Sequence, residues 1–360
     1  MTGSRSAASG SDVRARVRGC LLAGAVGDAL GAPVEFWSRD EIHARLGPEG
    51  VTGYLPAYGR EAGAITDDTQ MTLFTAEGII RATVRYAHRG IAHGPSVLQR
   101  AYVRWLATQG EAPLPPDGQN GWLVHVAGLH HRRAPGTTCL AALRGGDVGE
   151  VEKPTNHSKG CGGVMRAAPA GLTGLHDPFG LGTMAAAVTH GHPTGFLTAG
   201  FFARTIAGLL AGDTLDGALD AATEELRQHP GHGETLAAVT AAREHTGDVE
   251  ALGGGWVAEE ALAIAIHCVL AGPDLRTALL RAVNHSGDSD STGAIAGNLA
   301  GTLYGEAAIP PEWLGPLELR DTIEQVADDL VEAYHGPGVG GEYEPIDDRL
   351  EAFLARYPGY

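Results

Sequence analysis

Four glycines spaced every fourth residue, Gly293, Gly297, Gly301 and Gly305, strip one flank of a helical segment of its side chains. Residues four apart lie above one another on an α-helix, so this flank is smooth and another backbone can approach it closely. In a membrane such a stripe pairs spanning helices. No run here reaches the roughly 20 apolar residues that a span requires, so the stripe predicts a tightly packed core helix in a soluble protein.

The rest of the chain agrees with a helical core. Apolar residues recur at helical spacing over Val13 to Leu30, Thr69 to Ala87, Pro95 to Thr108, Gly180 to His190, Thr194 to Ala211 and Leu215 to Gln228. The same spacing runs through Glu234 to Glu244, Trp256 to Leu270, Leu275 to Asn284, Thr292 to Tyr304 and Asp321 to Ala333. Alternating β-branched runs are missing, and many segments are rich in alanine, the strongest helix former. The expected class is all-α, a compact single domain of many helices. Length alone would allow more, but no Ser/Pro linker or charge block divides the 360 residues, and the 43% hydrophobic content is ample for one large core.

A net charge of −17 argues against an extended nucleic-acid or anionic-membrane surface. Cys20, Cys139, Cys161 and Cys268 form neither a CxxC pair nor a disulfide framework, as expected of a reduced cytoplasmic protein. Arg14, Arg16 and Arg18 before CLLAGAV imitate a secretion signal, but the apolar run is short and meets Asp28. A monomer is expected.

Chemistry concentrates in two acidic clusters. GDSDSTG, Gly287 to Gly293, packs Asp288, Ser289, Asp290, Ser291 and Thr292 side by side, and ITDDTQ places Thr66, Asp67 and Asp68 where a helical pattern begins. Oxygen-only ligand sets suit Mg²⁺, Ca²⁺ or Mn²⁺, and acids from distant parts of a chain can converge on an ion pair. Asp67 or Asp68 alone would also serve as a helix cap. An EF-hand reading of the downstream cluster fails, because position twelve holds Leu299 where a bidentate Glu belongs.

Other motifs leave two readings open. HSKGCGGVMRAAP carries Gly160, Gly162 and Gly163, which permit either a plain turn or a phosphate cradle of backbone N–H groups, with Ser158 and Lys159 as added donors. It matches neither a Walker loop nor a dinucleotide fingerprint. In THGHPTG, His190 and His192 either close a helix before Pro193 or contact a ligand. His130 and His131 read as ordinary surface or partly buried residues, and Cys161 as a packing thiol.

GCLLAGAVGDALGAPVEF, ITDDTQM, KGCGGVMRAAP, THGHPTGF, GGGWVAEEALAIAI and NHSGDSDSTGAIAGNLAGTLYG stand in the order found in the ADP-ribosylglycohydrolase family, which the chain resembles over about residues 13 to 335. The ordered pairing of TDDT with GDSDSTG is the specific part. The resemblance implies residues 1–12 as a flexible N-terminus, 13–335 as the catalytic domain and 336–360 as an extension packed on or flanking it. It implies two Mg²⁺ ions, with Mn²⁺ possible, at the mouth of an ADP-ribose cleft. Thr66, Asp67 and Asp68 would form one half of the metal site, and Asp288, Asp290 and Ser291 the other. Ser291 stands where many members carry Thr, and the hydroxyl is retained.

By the same matching, the loop from Ser158 through Lys159, Gly160, Cys161, Gly162 and Gly163 would contact ADP-ribose, and His190 would line its pocket. Glu35, in GAPVEF, falls where serine-linkage hydrolases of the family carry a mobile glutamate near the metals; it is either a metal-site contact or a solvated loop carboxylate. Cleaving a C–N glycosidic bond builds positive charge on the ribose and needs a base for water. Asp68 is the first choice for that base and Glu35 the second. The implied activity is hydrolysis of mono-ADP-ribosylated protein to ADP-ribose, with arginine the expected acceptor because GDSDST, KGCGGVMR and THGHPTG look more like the arginine-linked enzymes. Serine, a nucleic-acid end or a small guanidine compound is the alternative acceptor. A non-catalytic ADP-ribose-binding protein and a magnesium-dependent phosphatase are the competing functions.

Overall fold

The computed structural model describes residues 10–114, 120–341 and 345–359. Among them the chain forms sixteen α-helices linked by turns and short 3₁₀ segments, and no β-strand. In order these are α1 Gly10–Gly31, α2 Arg39–Leu46, α3 Asp67–Arg89, α4 Gly94–Thr108, α5 Thr137–Gly145, α6 Ala168–Gly171, α7 Pro178–Ala187 and α8 Pro193–Leu210. They continue as α9 Leu215–Leu226, α10 Gly233–Glu244, α11 Ala258–Ala271, α12 Leu275–Val283, α13 Ser289–Tyr304, α14 Pro311–Leu314, α15 Arg320–His335 and α16 Asp348–Arg356. The all-α expectation holds. No helix is long and apolar enough to cross a membrane, among the described residues.

Side-chain caps fix where many helices start. Thr66, Asp177, Thr214, Asp274 and Asp347 each accept a backbone N–H of the first turn they precede. Ser38 and Glu41 form a reciprocal capping box on α2. Every segment with helical spacing is a helix, with shifted ends. Two shifts matter: α3 starts at Asp67 and α13 at Ser289, so Asp67, Asp68 and Asp290 belong to first turns and Asp288 stands immediately before α13. The positive end of the helix dipole favours carboxylates there.

The seam between α1 and α13 organises the core. The helices run antiparallel, with Gly19 against Gly301, Gly27 against Gly293, and Gly31 against Ser289. A Cβ added at Gly27 would lie 1.9 Å from the Gly293 oxygen, one at Gly297 2.0 Å from the Ala23 oxygen, and one at Gly301 2.0 Å from the Gly19 oxygen. These are backbone-to-backbone contacts that no larger residue permits. Asn298 crosses the seam and donates to the Cys20 carbonyl at 2.8 Å. Gly305 differs from its three predecessors, lying beyond the helix in the left-handed region at φ +79°.

Around the seam, α8 and α11 bury nearly every residue, α3 packs on α4, and α15 lies against α1 and α3. A buried ion network joins Glu77 on α3 to Arg104 on α4 at 3.0 Å. The final helix docks through Asp329 on α15, which accepts from Arg356 at 2.6 Å and from the Tyr357 hydroxyl at 2.8 Å. Of residues 1–12, positions 1–9 lie outside the described residues and 10–12 are the first turn of α1. Within 336–360, residues 342–344 and 360 lie outside them as well. All four cysteines are free.

Candidate active site

Because the seam is antiparallel, the C-terminal end of α1 meets the N-terminal end of α13. Asp28 and Glu35 thereby come beside Asp288 and Asp290, and the first turn of α3 adds Asp67 and Asp68 from the side. All six carboxyl groups are buried. The entry of GDSDST is fixed by Gly287, whose φ of +130° places its backbone where a Cβ would lie 2.0 Å from the Gly254 oxygen. Asp288 N–H then donates to that oxygen at 2.8 Å.

Asp28 is the residue that sequence reasoning missed. Its carboxylate accepts the Thr66 N–H at 3.0 Å, the Thr66 hydroxyl at 2.9 Å, the Thr69 N–H at 3.1 Å and the Thr69 hydroxyl. It thus ties the start of α3 to α1. The available signal was an acid inside an apolar helical run, where a carboxylate must find partners.

The remaining acids are much less satisfied. Asp67 accepts the Gly136 N–H at 3.1 Å, Asp288 accepts the Cys161 thiol at 2.8 Å, and Asp290 accepts the Ser291 N–H at 2.9 Å. Asp68 Oδ1 and Glu35 Oε2 are buried with no hydrogen-bond partner. Burial, followed by repulsion from Asp290 and Asp288, pushes the Glu35 carboxyl up to about 10. Burial and Asp290 raise Asp28 to about 7. Burial first, and the neighbouring acids next, hold Asp67, Asp68 and Asp288 well above the usual carboxylate range, and burial raises Asp290.

One carboxylate oxygen each from Glu35, Asp288 and Asp290 lies within 4.8 Å of the others. Crowded, buried oxygens with orphaned lone pairs fit a hard divalent cation. The cluster opens into a cleft of about 300 Å³, also lined by Gly136, Cys139, Gly160, Cys161, Gly162, Met165, His190, Phe36 and Trp256. No lysine or arginine lines it, among the described residues.

Not all of the Gly-rich loop faces this cleft. Gly160, Cys161 and Gly162 line it, whereas Ser158, Lys159 and Gly163 do not. The Ser158 hydroxyl bonds Thr138 at 3.1 Å, and the Lys159 ammonium turns to Glu234 at 2.7 Å and to Glu259. Gly160 N–H is held by Ser158 Oγ at 3.3 Å, so the loop is shaped from behind. Of the metal-site candidates, Asp67, Asp68, Asp288, Asp290 and Ser291 line the cleft, while Thr66 lies behind as the α3 cap.

His190 and His192 divide the two readings between them. His192 caps α8, its Nδ1 accepting the Thr194 N–H at 3.1 Å. His190 lines the cleft instead. Burial, and then the charge of Arg166, depress its imidazole to about 3, so the ring is neutral. Arg166 can only donate, and gives Thr189 Oγ1 a hydrogen bond at 2.7 Å. The Thr189 hydroxyl also pairs with His190 Nδ1 at 2.8 Å, and the ring's other nitrogen, Nε2, lies beside Gly160 and Gly162 at the cleft wall.

The family model described as ADP-ribosylglycohydrolase matches residues 9–339. The chain belongs to this family. It is 28% identical over 323 residues to the ADP-ribosyl-[dinitrogen reductase] glycohydrolase of Rhodospirillum rubrum, covering 86% of this chain and 93% of the relative. It is 26% identical over 342 residues to the ADP-ribosylarginine hydrolase Tri1 of Pseudomonas putida, covering 94% and 81%. A solved structure titled as an ADP-ribosylglycohydrolase-related protein complex superimposes with a TM-score of 0.66 at 29% identity, covering 89% of this chain and 98% of that one. Family membership makes the chain a hydrolase of ADP-ribosylated substrates.

Proposed function

We propose that the chain releases ADP-ribose from mono-ADP-ribosylated arginine in proteins by hydrolysing the N-glycosidic bond, with two magnesium ions as cofactors. The carrying observation is the buried acid cluster in which Asp68 Oδ1 and Glu35 Oε2 have no partner. Arginine as acceptor draws support from the relative named for it and from a cleft whose charge is acidic.

Thr66, Asp67, Asp68, Asp288, Asp290 and Ser291 would hold the ions, with Thr66 also capping the turn that carries Asp67 and Asp68. Bound there, magnesium would supply positive charge that offsets these carboxylates and Lewis-acid character toward the ribose. Gly160, Cys161 and Gly162 would wall the diphosphate path, with Gly162 N–H as its backbone donor because Ser158 Oγ and the Trp256 carbonyl already hold the Gly160 and Cys161 N–H groups, and with His190 Nε2–H as a neutral donor beside it; Ser158, Lys159 and Gly163 support that loop. Asp68 Oδ1 accepts the proton of the attacking water as its oxygen bonds the anomeric carbon and the guanidino nitrogen departs. Glu35, one step along the same cluster, orients that water. A compartment within the cytoplasm and a monomeric state suit the free thiols and this substrate.

The test is incubation of an arginine-ADP-ribosylated protein with the purified chain, with and without Mg²⁺, and mass spectrometry of what is released. ADP-ribose is expected, lost with EDTA and restored by Mg²⁺ or Mn²⁺. Release of inorganic phosphate would favour phosphatase chemistry, and full turnover after complete metal removal would reject the metal requirement.

A further inference from the structure

Two large aromatic rings stand in water at the mouth of the cleft. Phe36 is 71% exposed and Trp256 45% exposed, and they stack with centroids 5.5 Å apart at an interplanar angle of 21°. Exposed aromatic pairs bury little and stabilise a fold little, so core packing does not account for them. Both are tethered to the acid cluster. Phe36 follows Glu35 directly, and Trp256 follows Gly255, where a Cβ would lie 2.9 Å from Thr292 Cγ2 and 3.3 Å from Asp288 Cβ. The Trp256 carbonyl also accepts the Cys161 N–H at 3.2 Å, which holds its backbone against the loop.

We infer that Phe36 and Trp256 form a shelf for the acceptor guanidinium and select arginine over acceptors without a planar cation. The inference rests on the acceptor proposed above. A planar, weakly hydrated guanidinium stacks on aromatic faces, which a serine hydroxyl cannot do. The acceptor side chain belongs to a folded protein and must leave the cleft over an exposed edge, and the pair stands at such an edge. The ADP-ribose, by contrast, has to pass inward to the acids and the buried His190. With carboxylates on one side, aromatic faces on the other and no competing cation in the lining, the arginine side chain meets favourable electrostatics from both directions.

The experiment uses the full chain with Mg²⁺ and an ADP-ribosyl-arginine peptide, comparing wild type with Phe36→Ala, Trp256→Ala and the aromatic-preserving Phe36→Tyr and Trp256→Phe. Each alanine variant is expected to raise KM about tenfold with kcat largely kept, the scale of one lost cation–π contact. The aromatic-preserving variants should stay within about threefold of wild type, and calorimetry should find affinity for free ADP-ribose unchanged in all four. Thermal midpoints equal to wild type show that the fold is intact. An unchanged KM in both alanine variants overturns the shelf while leaving the acceptor assignment standing. A parallel loss of ADP-ribose affinity overturns it too, since the pair would then hold the nucleobase. Failure of the wild type to cleave the arginine linkage removes the acceptor assignment and the shelf together.

Discussion

The two ends of α13 solve opposite problems. From Gly293 to Gly301 the helix removes side chains so that its backbone rests on that of α1, and nothing charged intervenes. In its first turn, Asp290 and the preceding Asp288 are buried among Glu35, Asp67 and Asp68, where the carboxylates repel one another. The first arrangement gains from contact density and the second is costly to desolvate. Their adjacency teaches that the neutral seam is what holds the acids in register. An acid cluster on separate, loosely packed helices would relieve its repulsion by moving apart.

The largest effect is expected at the seam. Gly297→Val places a Cβ 2.0 Å from the Ala23 oxygen and 2.5 Å from its carbonyl carbon, and both are backbone atoms. The helices must separate, and the loss should exceed the usual ~1–3 kcal/mol of overpacking, to the point where cooperative urea unfolding disappears. Gly145→Ala, with nothing within 4 Å of its new Cβ, should stay within about 0.5 kcal/mol as the control. Equal urea midpoints for both variants would show that the seam has slack.

A smaller effect separates holding from reacting within the acidic end. Asp68→Asn should lower single-turnover hydrolysis by at least about 10²-fold while keeping most ADP-ribose affinity, the lower range for loss of a general base. Gly162→Val should do the reverse, because its Cβ would sit 2.9 Å from Cys139 Sγ and 3.1 Å from His190 Cε1 and push into the diphosphate path. Calorimetry and rapid-mix kinetics with metal occupancy verified would decide, and an unchanged single-turnover rate in metal-loaded Asp68→Asn would transfer the base role to Glu35.

The mildest probe leaves the sequence intact. Glu35 is raised to about 10 and Asp28 to about 7, so the folded protein binds more protons than the unfolded chain above the ordinary carboxyl range. That stability is fully present below about pH 4, weakens as pH rises through 7 and continues to fall toward 10. Metal-free protein should therefore melt lower at pH 8.5 than at pH 5.5, by roughly a few degrees. Bound Mg²⁺ competes with those protons, so its stabilisation should widen over the same range, as scanning fluorimetry can follow. A gap that narrows with pH would contradict the assignment of Asp67, Asp68, Asp288 and Asp290, raised in the same cluster, as ligands.

Much of this was legible in the chain, for reasons that differ by element. Long amphipathic segments such as α3 and α15 carry several turns of periodic signal, and the glycine stripe announces its own packing. The short α2 buries only Ile42, so its capping box at Ser38 and Glu41 was the better clue. α16 turns on Leu350 and Phe353, too few positions to stand out by spacing. The acids of TDDT and GDSDST declare themselves by composition. Asp28 does not, because its work depends on Thr66 and Thr69, some forty residues away. Helical spacing includes Trp256 in a helix, whereas α11 begins at Ala258 and leaves the ring at the cleft mouth. The Gly-rich loop could not reveal which of its faces turns inward, since Glu234 and Glu259 decide where Lys159 goes.

The antiparallel register of α1 and α13 also governs where the chain tolerates a change of length. One residue inserted between Gly19 and Asp28 would rotate everything downstream by about 100° about the helix axis. Gly27 would leave the Gly293 carbonyl, and Asp28 would swing away from Thr66 and Thr69 in the same motion. The turn at Thr246 and Gly247 is exposed, and an added residue there shifts no such contact. Across homologous sequences, gaps should gather in turns of that kind, while the spacing from Gly19 to Gly31 and from Ser289 to Gly301 stays constant to the residue.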